Sequence, residues 1–360
     1  MERILPKMNR AYLYPLSARY KKESQNPYLD NFMDSLKDRF IFLNRHSPSN
    51  SGILDILKYL GKTDYLFLHW PENMAEKKAG IIQSLFFIML IPLLGLINIR
   101  IIYILHNKIS HTNNRYRIKK AISVTLLKHS YKIITHSKEG IDFINSITVS
   151  RPDIFYFPHP IPHEEPCPVT VKDLDILIWG NIAPYKGVHN FLGQLRKSRA
   201  GSRWKILIAG KVSSQEYLEE LQSAGNDNLT IKDQFIDDDQ LSRLICRSRI
   251  VLFPYHKKSI LSSGAFAKTL VFPVEIIGPA CGAFLDFDHM PHVHTFDNEE
   301  EIIPLIENAL ANPVNDYYKH LEDISEKYSW KSFGAAFSRE LTKSTTLLLT
   351  GKVIQDHIVN

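Results

Sequence analysis

Short apolar runs alternate with helical stretches from residue 64 onward, a pattern that predicts parallel sheets built from strand–helix–strand units. In the first half, three strand-like runs end at His69, His106 and His136. The carboxyl ends of parallel strands meet at one edge of a sheet, where open α/β sheets bind ligands. We therefore expect these histidines to line a ligand-binding edge.

The pattern is interrupted once and then restarts. The segment 157–168 holds five prolines, which cannot continue a helix or a central strand, so it is predicted to link two domains. Beyond it, strand-like runs end at Gly180, Gly210 and Pro254, and 299–311 has apolar residues at helical spacing. Two similar halves are therefore expected.

Composition agrees with two soluble, folded domains, since the chain has 360 residues, 44% of them hydrophobic and 23% charged. The net charge of +6 favours phosphates or anionic membrane surfaces and falls short of nucleic-acid binding. Cys167, Cys246 and Cys281 are far apart without CxxC spacing, so neither a disulfide framework nor a zinc cluster is expected. A reducing compartment fits, and the amino terminus has no secretory h-region, which predicts a cytoplasmic protein.

One apolar stretch, 80–97, is nearly long enough to cross a bilayer. Pro92 and Gly95 interrupt it, and a strand-like run follows almost at once. A buried or interface-docking helix is the favoured interpretation, and direct membrane contact is the alternative.

The most specific motif is the loop from Gly180 to Gly187, which follows a strand and precedes a helix. Glycines let the backbone approach a phosphate, a helix N-terminus offers unpaired N–H groups, and Lys186 supplies a charge. The loop therefore suits a diphosphate, although an ordinary strand-to-helix turn with a surface lysine has the same pattern.

In order and spacing, residues 64–345 resemble the family-four-like GT-B glycosyltransferases, with Gly180, Pro184, Lys186 and Gly187 in register with their diphosphate loop. Asn181 stands where these relatives carry an arginine. The resemblance implies diphosphate binding by this loop and by a second helix start at Ser262–Gly264, with a further cation compensating for Asn181. At that second helix start, a plain N-cap is the alternative. The residues implied are Gly180, Asn181, Lys186, Gly187, Ser262, Ser263 and Gly264, with Lys257, Lys258 or Lys268 as the compensating cation.

The nucleotide base is implied to lie at Gly210, Phe235 and Ile236. Many relatives also have two glutamates eight positions apart that hold the sugar and ribose. Here Ser259 and Ala267 stand near those places, so this motif does not identify the donor.

In the N-terminal half, His69 stands where relatives carry a histidine that contacts the transferred sugar, which implies a catalytic role. A strand-end histidine satisfied by the backbone is the alternative. The acceptor or cleft residues implied beside it are Trp70, Glu72, His106, Asn107, His136 and Ser137.

The resemblance implies a GT-B fold, with two Rossmann-like parallel-sheet domains facing a central cleft. Residues 1–165 would bind the acceptor, 166–328 the nucleotide sugar, and 329–360 would pack back on the first domain. It implies a metal-independent hexosyltransferase that uses no cofactor. This enzyme would move a sugar from a nucleotide diphosphate to a saccharide or lipid-linked saccharide acceptor in polysaccharide biosynthesis, with retention of configuration as the expected outcome. Peripheral contact with the inner membrane leaflet is expected, and nucleic acid is not a partner.

Three rival interpretations stay open at this point. A catalytically inactive scaffold subunit of a polysaccharide-assembly complex is favoured by Asn181 and by the missing glutamates. A sugar-nucleotide 2-epimerase would need several cleft carboxylates, and no such set is visible. A nicotinamide-dependent oxidoreductase is disfavoured because no GxGxxG follows an early strand.

Overall fold

A computed structural model describes residues 8–16, 27–47, 52–108, 115–148, 152–164, 167, 171–198, 203–225, 227–257, 260–314 and 317–343. The chain forms two compact units. The first comprises Met1–His136, Gly140–Phe157 and Trp330–Asn360, and the second comprises Ser137–Glu139 and Pro158–Ser329.

The first unit holds a six-stranded parallel sheet in the order β2-β1-β3-β4-β5-β6. Its strands are β1 (Asn9–Tyr14), β2 (Phe40–Phe42), β3 (Tyr65–His69), β4 (Arg100–Leu105), β5 (Lys132–Thr135) and β6 (Ile154–Tyr156). The helices between them are α1 (Tyr28–Ser35), α2 (Gly80–Leu96), α3 (Tyr116–His129) and α4 (Lys138–Ile147), with short 3-10 helices at Gly52–Lys58, Leu60–Lys62 and Pro71–Glu76.

The second unit holds another six-stranded parallel sheet, in the order β12-β11-β10-β7-β8-β9. Its strands are β7 (Leu174–Trp179), β8 (Ile206–Ala209), β9 (Leu229–Lys232), β10 (Ser248–Leu252), β11 (Glu275–Pro279) and β12 (Val293–Phe296). Its helices are α5 (Val188–Lys197), α6 (Gln215–Ala224), α7 (Asp238–Arg247), α8 (Gly264–Thr269), α9 (Gly282–Asp286), α10 (Ile302–Ala311) and α11 (Tyr318–Lys327), with 3-10 turns at Pro184–Lys186 and Glu299–Glu301.

Apolar side chains fill both faces of the second sheet, because alternate residues of a strand point to opposite faces. Leu177 and Val251 join one core cluster, whereas Ile176 and Ile250 join the other. In the first unit, one face packs against α1 and against α12, a helix described over 330–343 that contributes Phe333 to the core. These two sheets confirm the predicted fold class of two Rossmann-like domains.

Helix α2 occupies the long apolar stretch. Phe87, Ile91 and Leu94 are buried on one side, whereas Met89 and Leu96 are 73% and 79% exposed on the other. Within the described part of the chain, we find no helix that combines the length and the apolarity needed to cross a membrane.

The prediction that the cysteines form no disulfide is wrong. Cys167 and Cys246 are bonded, with 5.8 Å between their Cα atoms, and the remaining Cys281 is free and buried. The two bonded cysteines are 79 residues apart in sequence, and the fold places Cys167 against the core cluster that contains Cys246 on α7. Sequence spacing therefore carried no information about this pair.

Candidate functional site

The second unit has a crevice-forming position where its strand order reverses. Strands β7 and β10 are neighbours in this sheet. From β7 the chain continues through β8 to β9 on one side, whereas from β10 it continues through β11 to β12 on the other side. In open α/β sheets, ligands bind outside the carboxyl ends of the strands at such a point. Here those ends are Gly180, after β7, and Pro254 with Tyr255, after β10.

Three glycines bring the loops at this edge together. Gly180, Gly187 and Gly210 have φ angles of 106°, 68° and 147°, which L-residues with a Cβ rarely adopt. A Cβ on Gly187 would lie 2.0 Å from the carbonyl oxygen of Pro254, and one on Gly210 would lie 1.8 Å from that of Gly180. The loops after β7, β8 and β10 are thus in direct backbone contact, and only glycine fits at these contacts.

Lys186 is a buried cation at the centre of this edge. Only 8% of the residue is exposed, and its Nζ lies 5.0 Å from the ring centroid of Tyr255. Burial alone lowers the pKa of Lys186, but Tyr255 and Tyr185 outweigh burial, so the pKa is raised and the group stays charged at neutral pH. No carboxylate of the described residues forms an ion pair with it. A buried charge is costly without a counter-charge, which an anionic ligand would supply.

Helix α5 begins beside Lys186. Its N-cap is Gly187, which offers no side-chain cap, so the first N–H groups of the helix lack that partner. A helix N-terminus with free N–H groups and a neighbouring cation suits a phosphate. The predicted diphosphate loop combines these two features.

Two of the three lysines proposed to compensate for Asn181 have acidic partners. Lys257 Nζ lies 2.6 Å from Asp297, and Lys268 Nζ lies 2.8 Å from Glu164 and 2.9 Å from Asp238. Lys258, like Ser259, lies outside the described residues. Lys186 is thus the one predicted diphosphate cation, among those described, that has no acidic partner.

The turn 262–264 begins the short helix α8. Ser263 caps this helix, because its Oγ accepts a hydrogen bond from the backbone N–H of Phe266 at 3.2 Å. A Cβ on Gly264 would lie 3.5 Å from Nε2 of His159. The imidazole of His159 therefore adjoins the Ser262–Gly264 turn, and Ala267 on the same helix faces the core.

The predicted base-binding segment lies next to the glycine loops. The N–H of Gly210 donates to the carbonyl of Lys232, the last residue of β9, at 3.1 Å. Phe235, three residues further on, is 54% exposed, whereas Ile236 packs against the core. An exposed aromatic ring beside the loops is available for stacking.

In the first unit, the three predicted histidines meet at the carboxyl edge of the sheet. Nδ1 of His69 lies 3.1 Å from Nε2 of His106. Nδ1 of His136 donates a hydrogen bond to the carbonyl of Phe157 at 2.8 Å, and its Nε2 forms a hydrogen bond with the hydroxyl of Tyr28 at 2.9 Å. The sequence prediction that these strand ends converge therefore agrees with the geometry.

His69 itself is fully buried, and its Nε2 has no hydrogen-bond partner within the described residues. Burial, reinforced by the charge of His136, holds the pKa of His69 well below its usual value, so the ring is neutral at pH 7. The ring packs edge-on against Phe32, 4.7 Å between centroids. A neutral imidazole with one unused nitrogen can donate or accept one further hydrogen bond.

Trp70, directly after His69, has left-handed backbone angles of φ 47° and ψ 41°. Its indole stacks on the ring of His106 with centroids 4.2 Å apart. Strained backbone of this kind persists only where neighbouring packing holds it, and it often occurs at ligand sites.

Glu72 is partly exposed as a residue, but its Oε2 is enclosed and lacks a hydrogen-bond partner among the described atoms. Burial raises the pKa of the Glu72 carboxyl to about 7. Asn107 is exposed at the end of β4, while Ser137 is fully buried and belongs to the second unit.

Two residues of these sites were not predicted. Tyr28 on α1 contacts all three histidine rings, with centroid distances of 5.2 to 6.3 Å. The sequence signal that could have indicated its helix is the helical spacing of apolar residues after Pro27. The carboxylate of Glu299 accepts a hydrogen bond from Asn190 in the first turn of α5. Its Oε1 also lies 3.1 Å from Nδ1 of His256, which follows β10. Nothing in the sequence around Glu299 indicated that contact.

No protein-family model and no curated protein sequence matches the chain. Its fold is similar to that of Alr3699/HepE of Anabaena, solved with UDP and glucose, at a TM-score of 0.69 and 10% identity over 93% of this chain and 100% of that one. The glycosyltransferase AviGT4 of avilamycin A biosynthesis gives 0.57 at 14% identity over 96% and 98%, and the pneumococcal O-GlcNAc transferase GtfA, with UDP and GlcNAc, gives 0.58 at 13% over 84% and 62%. The chain therefore has the GT-B fold that the resemblance predicts.

Proposed function

We propose that the protein is a glycosyltransferase that binds a nucleotide diphosphate sugar in its second unit and transfers the sugar to a saccharide or lipid-linked saccharide, with retention of configuration, in polysaccharide biosynthesis. The observation that carries this proposal is the buried, unpaired charge of Lys186 at the point where the strand order reverses. UDP in the Anabaena and pneumococcal structures supports a nucleotide donor.

In the proposed reaction, the bond between the anomeric carbon and the diphosphate oxygen breaks, and its electron pair stays on the diphosphate. The acceptor hydroxyl oxygen bonds to the anomeric carbon, and its proton passes to the departing diphosphate. Lys186 and the N–H groups at the start of α5 stabilise that developing charge, which makes the reaction metal-independent. Phe235 stacks on the base, and the unused Nε2 of His69 hydrogen-bonds the transferred sugar or its acceptor.

The acceptor is proposed to be bound by the first unit, where Trp70, His106 and His136 surround Tyr28. Aromatic rings with a few convergent polar atoms suit a sugar. The proposal places the reaction in the cytoplasm at the inner membrane leaflet. The disulfide between Cys167 and Cys246 is the observation that opposes this location, because disulfides are rare in reducing compartments.

An inactive scaffold is the second candidate. Asn181 provides no second cation, and Ala267, buried in the core, provides no carboxylate for the donor.

Calorimetric titration separates the candidates. A transferase should bind uridine or guanosine diphosphate more tightly than the nucleoside and should slowly hydrolyse one member of a nucleotide-sugar panel. Binding of NAD alone would indicate an oxidoreductase. Absence of both nucleotide binding and hydrolysis would indicate the scaffold.

A further inference from the structure

The outer face of helix α2 consists of large apolar side chains that face solvent. They recur every three or four positions, and their exposed fractions are 72% for Ile82, 54% for Leu85, 73% for Met89, 54% for Leu93 and 79% for Leu96. Because 3.6 residues complete a helical turn, this spacing aligns them in one stripe along the helix. At 1.5 Å per residue, the stripe is about 20 Å long.

The apolar surface continues beyond the helix. The 3-10 helix Gly52–Lys58 packs against α2 and exposes Leu54 and Leu57 by 44% and 47%. Single exposed apolar residues are ordinary, but a contiguous patch of this kind marks an interaction surface. We call the stripe on α2 together with Leu54 and Leu57 the apolar face.

Positive charge predominates around the apolar face. Between Lys77 and Lys138 the sequence contains eleven lysines and arginines, both ends included, and no aspartate or glutamate. Of these, Lys78, Arg117 and Lys120 are exposed, and none forms an ion pair with a described carboxylate.

These cations lie near the start of the apolar face. Lys119 pairs with Glu76, just before α2, and Arg115 donates to the carbonyl of Ala75, so the first turns of α3 and α2 are adjacent. Arg117 and Lys120 on α3 therefore border the same end of α2 as Lys78. Glu76 is the acid at this end, and Lys119 pairs with it. Apolar side chains flanked by further cations without an ion-pair partner complement a bilayer with anionic headgroups.

We propose that the apolar face seats this protein in the interface of an anionic lipid bilayer, with α2 lying parallel to the membrane plane and the cations on lipid phosphates. Chain connectivity adds a consequence that rests on the proposed function. The segment Pro71–Glu76 joins the carboxyl end of β3, where His69 lies, to the cationic end of α2. Docking thus presents the proposed acceptor edge to a lipid-linked saccharide.

Flotation with vesicles of phosphatidylcholine alone, or with 30% phosphatidylglycerol, tests the proposal on the full chain. We expect binding to the anionic vesicles that weakens in 0.5 M salt. The double variant Met89→Ser/Leu96→Ser should lower partitioning at least tenfold, and Arg117→Gln/Lys120→Gln should lower it about tenfold or more. The controls are Val171→Ser, an 83% exposed apolar residue elsewhere, and Lys197→Gln, an exposed cation elsewhere, and both should bind like the parent.

Equal binding to neutral and anionic vesicles, or no binding to either, would overturn the proposal. So would a dimer of the parent that Met89→Ser/Leu96→Ser converts to a monomer, because the apolar face would then be covered by a second copy. Calorimetry with uridine diphosphate on the same preparations keeps the two proposals separable. Retained nucleotide binding without vesicle binding rejects membrane docking and leaves the transferase intact.

Discussion

Lys186→Met should weaken binding of a nucleoside diphosphate about 10- to 150-fold and leave binding of the bare nucleoside unchanged. The lysine is 8% exposed and has no ion-pair partner among the described carboxylates, so the ligand phosphates would be its counter-charge. A hydrogen bond to a charged group contributes about 1.5–3 kcal/mol, which corresponds to that range of affinity.

The same substitution should change the free energy of unfolding by less than about 1 kcal/mol. Removing an unpaired buried charge relieves its desolvation, and this gain offsets the lost contact with the Tyr255 ring 5.0 Å away. Lys268 is a matched control, since it is also 8% exposed but pairs with Glu164 and Asp238. Lys268→Met leaves Glu164 unpaired, so it should lower stability by about 1–3 kcal/mol and leave nucleotide affinity unchanged.

Isothermal titration with uridine diphosphate, uridine monophosphate and uridine measures the change in affinity, and the corresponding guanosine ligands form a second series. Urea unfolding measures the change in the free energy of unfolding. Equal losses for the diphosphate and the nucleoside would show that Lys186 does not contact phosphates. A loss of stability as large as that of Lys268→Met, with affinity unchanged, would make Lys186 a structural residue and refute the argument from its unpaired charge.

Three further substitutions test other parts of the two sites. His69→Ala should lower turnover about 100-fold with donor affinity nearly unchanged, whereas a parallel loss of melting temperature and every activity would identify a core histidine. Because burial raises the pKa of Glu72 to about 7, the folded state keeps a proton that the unfolded state releases near pH 4.5, so stability should fall by up to about 3 kcal/mol as pH rises to 7. Glu72→Gln should flatten this dependence in urea midpoints measured against pH, and an unchanged slope would contradict it. Gly187→Ala places a Cβ 2.0 Å from the carbonyl of Pro254 at φ 68° and should cost about 2 kcal/mol or more in urea unfolding, whereas Gly193→Ala, with nothing within 4 Å on α5, should be neutral or stabilising.

The strand ends were predictable because buried parallel strands are continuous apolar runs that stop at polar residues. His69, His106 and His136 were placed on one edge by that argument alone, and the structure has them there. The elements before residue 64 were not predicted. Of these, β2 has only three residues, too few for any periodicity to show, whereas α1 carried readable helical spacing.

Contacts between distant residues were beyond the sequence. Tyr28 hydrogen-bonds His136 across 108 positions, and Asn190 meets Glu299 across 109. Such pairs depend on which helices and loops neighbour each other after the sheet forms, and no local pattern encodes that. For the same reason, the sequence could not show that Lys268 is paired and Lys186 is not.

The role of charge in this loop can also be tested by adding a cation at Asn181 instead of removing the cation of Lys186. The position is exposed in the predicted diphosphate loop, and Lys257 and Lys268 pair with carboxylates. In the proposed complex, Lys186 alone of these cations would face a ligand with two or three negative charges. Asn181→Arg should therefore tighten nucleoside diphosphate binding about 3- to 10-fold, a modest gain because an exposed charge is screened by solvent and salt. The gain should shrink as ionic strength rises and should be absent for the nucleoside, while the urea midpoint stays unchanged. An affinity that does not respond to the new arginine at low salt would mean that residue 181 lies away from the phosphates. The proposed register of the whole loop with the glycosyltransferases that it resembles would then have to be abandoned.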